Sequence, residues 1–288
     1  MDRGAEQKAL ALAHRLCERQ SKTGSWNAFV LRPGGSNQWT TAVSLCALGQ
    51  LKKKLSAKPP RWIERGLKRG WQFMADQQSL GSAIGFNAET PHDSDSTIWL
   101  CRSLITLGNH QTIESFDKQK KITREDWLEK GLEYVIKHLT EDERMVCTYT
   151  CEDGILEYVG RPNHLGSSWL GPHQCVSANA VALARELEEF CPNVKVESSK
   201  KLAKLDLSGR PFWWPNKDMS TFLLGEASIN RLEAIEAHWV LRVPDHADKT
   251  GEHSTYSQDR DTEGAICKDN GSFGLAISII NIASQSKE

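Results

Sequence analysis

QWTTAVSLCALG (Gln38 to Gly49), SDSTIWLCRSLITLG (Ser94 to Gly108), HQCVSANAVALARELE (His173 to Glu188), DMSTFLLGEASINRLE (Asp218 to Glu233) and GSFGLAISIINIA (Gly271 to Ala283) are variations on one pattern. In the first four a Ser or Thr near the start is followed by small and aliphatic residues at helical spacing, as in a helix whose first turn carries hydroxyl caps. The fifth lacks the hydroxyl. Upstream of three of them lies a more charged helical stretch, ending for the first two in a glycine-aromatic turn: LALAHRLCERQSKTGSW, IERGLKRGWQFMADQQSLGSAIGF and LEKGLEYVIKHL. An amphipathic helix covers a core with one stripe, whereas a nearly apolar helix has to be surrounded. Pairs stacked side by side and closed into a ring satisfy both demands, with apolar helices inside and amphipathic ones outside.

The repeat therefore predicts an all-α chain: an α/α barrel, or toroid, of five or six helix pairs in a single domain over residues 1–288. No appreciable sheet is expected, and longer excursions fall near 110–125 and 244–268, where charge and Gly, Ser and Asp density rise. An α-solenoid scaffold would use similar pairs, but its concave helices are usually polar enough to meet a protein partner in water. Apolar inner helices and aromatic turns suit an enclosed greasy chamber better.

The formal net charge of -1 leaves no basic field to hold a phosphate backbone, so nucleic acid is not an expected partner. The N-terminal MDRGAEQKALALAHRL is charged throughout and lacks the apolar centre of a signal peptide, and no run is long enough to span a bilayer. A cytoplasmic protein with no transmembrane segment is expected, with contact to a membrane surface left open. The 8 cysteines form no CxxC pair, and the spacing of Cys147 and Cys151 fits buried thiols in a reducing compartment better than a zinc site. The 10 tryptophans supply wide aromatic faces, useful in a core and wherever a cation must be held without being quenched.

Several pieces are similar to the QW repeats of squalene-hopene and oxidosqualene cyclases: Gln20 to Trp26 with Gly24, Gln77 with Gly81 and Phe86, Lys130 to Val135, and Gly271 to Phe273. DSDST (Asp93 to Thr97) resembles the DxDDT signature of class II terpene cyclases. The family's last Asp is replaced by Ser96, which brings the pattern nearer the oxidosqualene branch. The middle Asp, the family's proton donor, maps onto Asp95. With room for one barrel, the chain looks most like the monodomain class II cyclases that fold prenylated aromatic acids into meroterpenoids. The resemblance implies an isomerase that protonates a terminal alkene or epoxide of a linear polyprenyl substrate, aryl-linked in that subfamily, and cyclises it through carbocations. It implies no cofactor, with magnesium entering only if the substrate is a diphosphate.

That chemistry needs an acid that stays protonated at neutral pH yet is strong in its pocket. Burial and a nearby carboxylate, Asp93, disfavour ionisation of Asp95, while hydroxyls such as Ser96 and the amides of a helix start stabilise the carboxylate left behind. The alternatives are that Asp93 or Ser94 is an N-cap and the rest turn chemistry, or that Asp93 and Asp95 chelate a metal. In the family a His or Cys from another repeat bonds the donor Asp; His173 and Cys175, at the mouth of the third inner helix, are the candidates, with His92 behind them.

Setting Thr41, Thr97, Ser177 and Thr221 level puts Trp39, Asp95, Cys175 and Met219 on one rung, with Phe273 a fifth member. Trp99, one turn below Asp95, lies on the same face. Such walls can attract migrating positive charge by cation–π interaction, and Trp39 and Phe273 are expected across the chamber from the acid. The run Phe212, Trp213, Trp214 could roof the cavity or staple the entry of the fourth inner helix. Phe222 lies on that helix and completes the substrate-binding set. Arg32, Arg61 and Arg161 are candidates for a charged head group. Two other readings stay open: a protein prenyltransferase β-subunit with a zinc site and a partner subunit, and a non-catalytic toroidal interaction domain.

Overall fold

The computed structural model describes residues 3–28, 30–31, 34–77, 83–107, 124–150, 154–155, 170–192, 194, 196–207, 276–277 and 279–280. Its main helices are α1 (Arg3–Glu18), α2 (Asn37–Lys54), α3 (Arg61–Gln77), α4 (Ser94–Leu107), α5 (Arg124–Lys137), α6 (Gln174–Phe190) and α7 (Val196–Leu202). Outer and inner helices alternate along the chain, as the repeat predicts. α1 buries Ala9, Leu12, Ala13 and Leu16, one stripe at helical spacing, and α5 does the same with Trp127, Leu128, Gly131, Leu132 and Val135. By contrast α2 buries every residue from Gln38 to Gly49, and α6 every residue from Gln174 to Ala184. An α-helix buried on all sides needs neighbours on all sides. α4 lies between α2 and α6, while α1 and α3 back α2, α5 backs α4 and α7 backs α6.

The hydroxyls that define the repeat have one shared job. Thr41 Oγ1 accepts the backbone N–H of Trp26 at 2.9 Å, Thr97 Oγ1 that of Ile84 at 3.2 Å, and Ser177 Oγ that of Val146 at 3.0 Å. Each of these amides belongs to the connection leading from an outer helix to the next inner one. Buried there without a ladder partner, it needs an acceptor. The first connection is stitched further by Gln20, whose Nε2 donates to the carbonyls of Gly24 at 2.8 Å and Gly66 at 2.9 Å, and by Trp26 Nε1, which donates to Leu16 O at 2.7 Å. Gly24 sits at φ 97°, a backbone region that residues with a Cβ rarely occupy.

The inner helices run parallel, with their starts together. Residues in the first turns of α2 and α4 meet through Trp39 and Asp95, and near their ends the helices come so close that a Cβ on Gly49 would lie 2.3 Å from Thr106 Oγ1. Sheet is confined, among the described residues, to the two-residue antiparallel pair of β1 (Val30–Leu31) and β2 (Gly34–Gly35) ahead of α2, plus isolated bridges. From the fifth repeat, Ala276, Ile277, Ile279 and Ile280 join the same hydrophobic core as the inner helices. The fourth repeat, the rest of the fifth, the excursion over 244–268 and that near 110–125 up to residue 123 lie outside the described residues. No helix among the described residues is long and apolar enough to cross a membrane.

Candidate functional site

Between Ser94 and Thr106 on α4, Asp95 is the one residue that is not fully buried. Its carboxyl is nonetheless deep enough that burial is the main cause of its raised pKa, about 6. The side chain is thus strongly desolvated without being sealed from its surroundings. Two N–H donors oppose the burial: Trp39 Nε1 reaches Asp95 Oδ2 at 3.0 Å from α2, and Asn179 Nδ2 reaches Oδ1 at 3.4 Å from α6. Position in the first turn of α4 adds the favourable end of the helix dipole. Burial thereby keeps a minority of Asp95 protonated near neutrality, while both its oxygens face donors able to receive the negative charge it would release.

Asp93 is the N-cap of α4. Its Oδ1 accepts the backbone N–H of Ser96 at 2.6 Å, its Oδ2 the Ser96 hydroxyl at 2.7 Å and Tyr149 OH at 3.4 Å, and its carbonyl the N–H of Thr97 at 3.1 Å. Burial, and then the charge of Asp95, push its pKa up to about 7, with the two bonds from Ser96 pulling the other way. By acidity alone Asp93 would be the better reservoir of a proton. By geometry it is not available, since it is 3% exposed and its oxygens are engaged by protein donors. Of the two, Asp95 is the residue that keeps some exposed surface.

The hydroxyls of DSDST do not serve Asp95. Ser94 Oγ donates to Cys147 O at 2.6 Å, Ser96 binds Asp93, and Thr97 Oγ1 donates to Asp93 O at 2.7 Å. The expectation that these hydroxyls support the acid directly is thus corrected: its donors come from the two flanking inner helices. The other expected supporters are also displaced. His173, 3% exposed at the N-cap position of α6, has Nδ1 2.7 Å from Thr148 Oγ1. Cys175 is buried in the first turn of α6, and Asn179, one turn deeper on the same face, meets the carboxyl instead. His92 is exposed and makes a T-shaped ring contact with Tyr134.

Of the proposed aromatic walls, Trp39 is on the rung with Asp95 but not across the chamber from it. Its indole N–H is bonded to the acid, and its ring stacks at 6.5 Å on Phe86. Trp99 is 2% exposed and carries the Arg102 guanidinium 4.8 Å from its ring centroid. That face is occupied by a fixed cation, which corrects its assignment to the chamber wall. Arg61 is exposed at the start of the outer helix α3. Trp213, Trp214, Met219, Phe222, Phe273, Arg32 and Arg161 lie outside the described residues. Among those described, no group of three or more His, Cys, Asp or Glu side chains could hold a metal ion.

Sequence reading missed Asn179. It sits in SANAVALA, where a single amide among small residues has no local signal, although in the aligned repeats it falls one turn below the rung of Asp95.

No family model matches the chain, and no curated protein does. Solved structures do. A variant of the type II terpene cyclase MstE from Scytonema, in complex with its substrate geranylgeranyl dihydroxybenzoate, superposes with a TM-score of 0.55 at 19% identity, covering 78% of this chain and 59% of that one. MstE without ligand matches with a TM-score of 0.55 at 18% identity over 82% of this chain and 62% of its own. A protein from Actinoplanes matches with a TM-score of 0.53 at 19% identity over 96% of this chain and 75% of its own. At these identities the likeness is one of fold: an all-α toroid shared with type II terpene cyclases. The chain spans less than two thirds of the length of MstE.

Proposed function

We propose that this chain is a proton-initiated, class II terpene cyclase acting on a linear polyprenyl substrate, with Asp95 as the acid. The observation that carries the reading is the state of that carboxyl: partly open at the start of an inner helix, its pKa raised by burial to about 6, and bonded at both oxygens by Trp39 and Asn179. Burial keeps a fraction of Asp95 protonated near neutrality, about a tenth at pH 7, as the form that can donate to a substrate. Transfer to an alkene carbon, or to an epoxide oxygen, leaves a carboxylate that the indole and amide N–H groups stabilise without moving. The cation formed then cyclises intramolecularly, and a proton is lost or a nucleophile captures the final cation.

Asp93 supports this arrangement indirectly by capping α4, and the charge of Asp95 raises the pKa of Asp93 in turn. An aryl-linked chain such as geranylgeranyl dihydroxybenzoate, the substrate bound to the MstE variant, is the first candidate substrate. The test is incubation with farnesyl and geranylgeranyl compounds, free and aryl-linked, followed by mass spectrometry and chromatography. A product of unchanged mass and altered retention, formed by the wild type and abolished in Asp95→Asn, is expected. Equal turnover by Asp95→Asn would overturn the assignment of the acid, and loss of diphosphate would overturn the reaction class.

A further inference from the structure

The Asn179 amide has two ends, and a residue other than Asp95 determines which one faces the acid. Arg102 is seven residues after Asp95 on α4, two turns down the same face, and only 1% exposed. One guanidinium nitrogen, NH1, donates to Asn179 Oδ1 at 2.7 Å. The other side of the fork grips Glu186, which stands two turns beyond Asn179 on α6: Nε lies 3.2 Å from each carboxylate oxygen and NH2 2.8 Å from Oε1. Gln50 Nε2, from α2, donates to the same Oε1 at 3.1 Å. A guanidinium has donors only. Asn179 must therefore turn its oxygen to Arg102, which leaves its NH2 group for Asp95.

On the reading of Asp95 as the acid, we infer that Arg102, held by Glu186, is a positioning residue that fixes the Asn179 amide with its donor on the acid. With that constraint gone, a half-turn of the amide would present a carbonyl oxygen to Asp95. A carbonyl bonds a protonated carboxyl and repels a carboxylate, so the neutral acid would be favoured and its strength lost. The ion pair is by itself weak evidence of a purely stabilising role. A buried Arg and Glu pair can often be exchanged for apolar side chains without loss, because desolvating two charges offsets their attraction. Among the described residues, the titratable and charged groups around the site include Asp93 on α4 beside Asp95, His138 after α5, which lowers the pKa of Asp93, Arg102 and Glu186 below the acid, and Lys53 on α2, which feels the charge of Glu186.

The experiment reads Asp95 directly and needs no substrate. Protein carrying ¹³C-labelled aspartate is titrated by NMR, with the Asp95 carboxyl resonance identified by its loss in Asp95→Asn. The key variant, Arg102→Met with Glu186→Gln, removes one positive and one negative charge together and so leaves no charge unpaired. Its Asp95 pKa is expected to rise by about 1, the size of one lost charge-assisted hydrogen bond, and Asn179→Leu should do the same. Adding both changes to Asn179→Leu should move it no further, since the effect passes through the amide. Arg102→Lys, which keeps the charge but not the fork, should give an intermediate rise and stands in if the double variant does not fold.

An unmoved Asp95 pKa in these Arg102 variants overturns the inference. So does an equal shift in the Asn179→Leu background, which would mean that Arg102 acts through its charge alone. Failure of the function reading is seen separately, as absence of cyclised product from the wild type, while the titration still decides the role of Arg102.

Discussion

Trp39→Phe removes one N–H and keeps an aromatic ring against Phe86, so it isolates the hydrogen bond that Trp39 Nε1 makes to Asp95 Oδ2 at 3.0 Å. A hydrogen bond to a charged acceptor contributes about 1.5–3 kcal/mol, and about 1.4 kcal/mol corresponds to one pKa unit. Part of the bond survives when the carboxyl is protonated, so the lower figure applies. The donor stabilises the carboxylate; its removal moves the Asp95 pKa upward, from about 6 to roughly 7. Two consequences then oppose each other. At pH 7 the protonated fraction rises from about a tenth to about a half, while each protonated acid is weaker and transfers its proton more slowly. In a profile of turnover against pH, the plateau on the acid side should fall by roughly three- to tenfold and the midpoint of the descending limb should move up by about 1. The assay is steady-state turnover from pH 5 to 9 on the cyclised substrate, with Trp127→Phe on outer helix α5 as control. A Trp39→Phe profile that overlays the wild type in plateau and midpoint, or whose midpoint moves down, would refute the reasoning.

Asp95 binds its proton more tightly folded than unfolded, with a pKa near 3.8 rising to about 6, so folded stability falls as pH climbs through that window. Asp95→Asn should therefore gain on the wild type in thermal melts from about pH 4 upward, by at most about 3 kcal/mol, and level off near neutrality; a constant difference across pH would contradict this. Asp93→Ala should lose about 1–2 kcal/mol as the cap of α4 disappears, whereas Asp93→Asn, which can still accept from Ser96, should lose much less in urea unfolding. Gly49→Ala drives a methyl group into Thr106 and should cost about 1–3 kcal/mol by the same measurement. Ser177→Ala strands the buried amide of Val146, and a loss of about 1–3 kcal/mol is expected, visible also as faster amide hydrogen exchange at Val146.

What was legible in the sequence is what depends on local pattern. Helical spacing of apolar residues separates amphipathic from fully buried helices, because the stripe a helix buries is written into its own residues. On that basis the alternation of outer and inner helices, the aligned hydroxyls of Thr41, Thr97 and Ser177, and the placement of DSDST at an inner helix start follow from the chain alone. Local pattern also allowed Asp93 to be an N-cap, which it is. The surroundings of Asp95 were not legible. Its two donors stand 56 and 84 residues away along the chain. Whether Cys175 or Asn179 meets the carboxyl depends on how far α6 slides along α4, a single helical turn. That register is decided by contacts between α4 and α6 such as the grip of Arg102 on Glu186 and Asn179, which exist only once the helices are side by side. Tertiary structure likewise turned Trp39 from a distant wall into a donor for the acid and put Trp99 under a guanidinium, since the direction a buried indole points is set by what its neighbouring helices leave open to it.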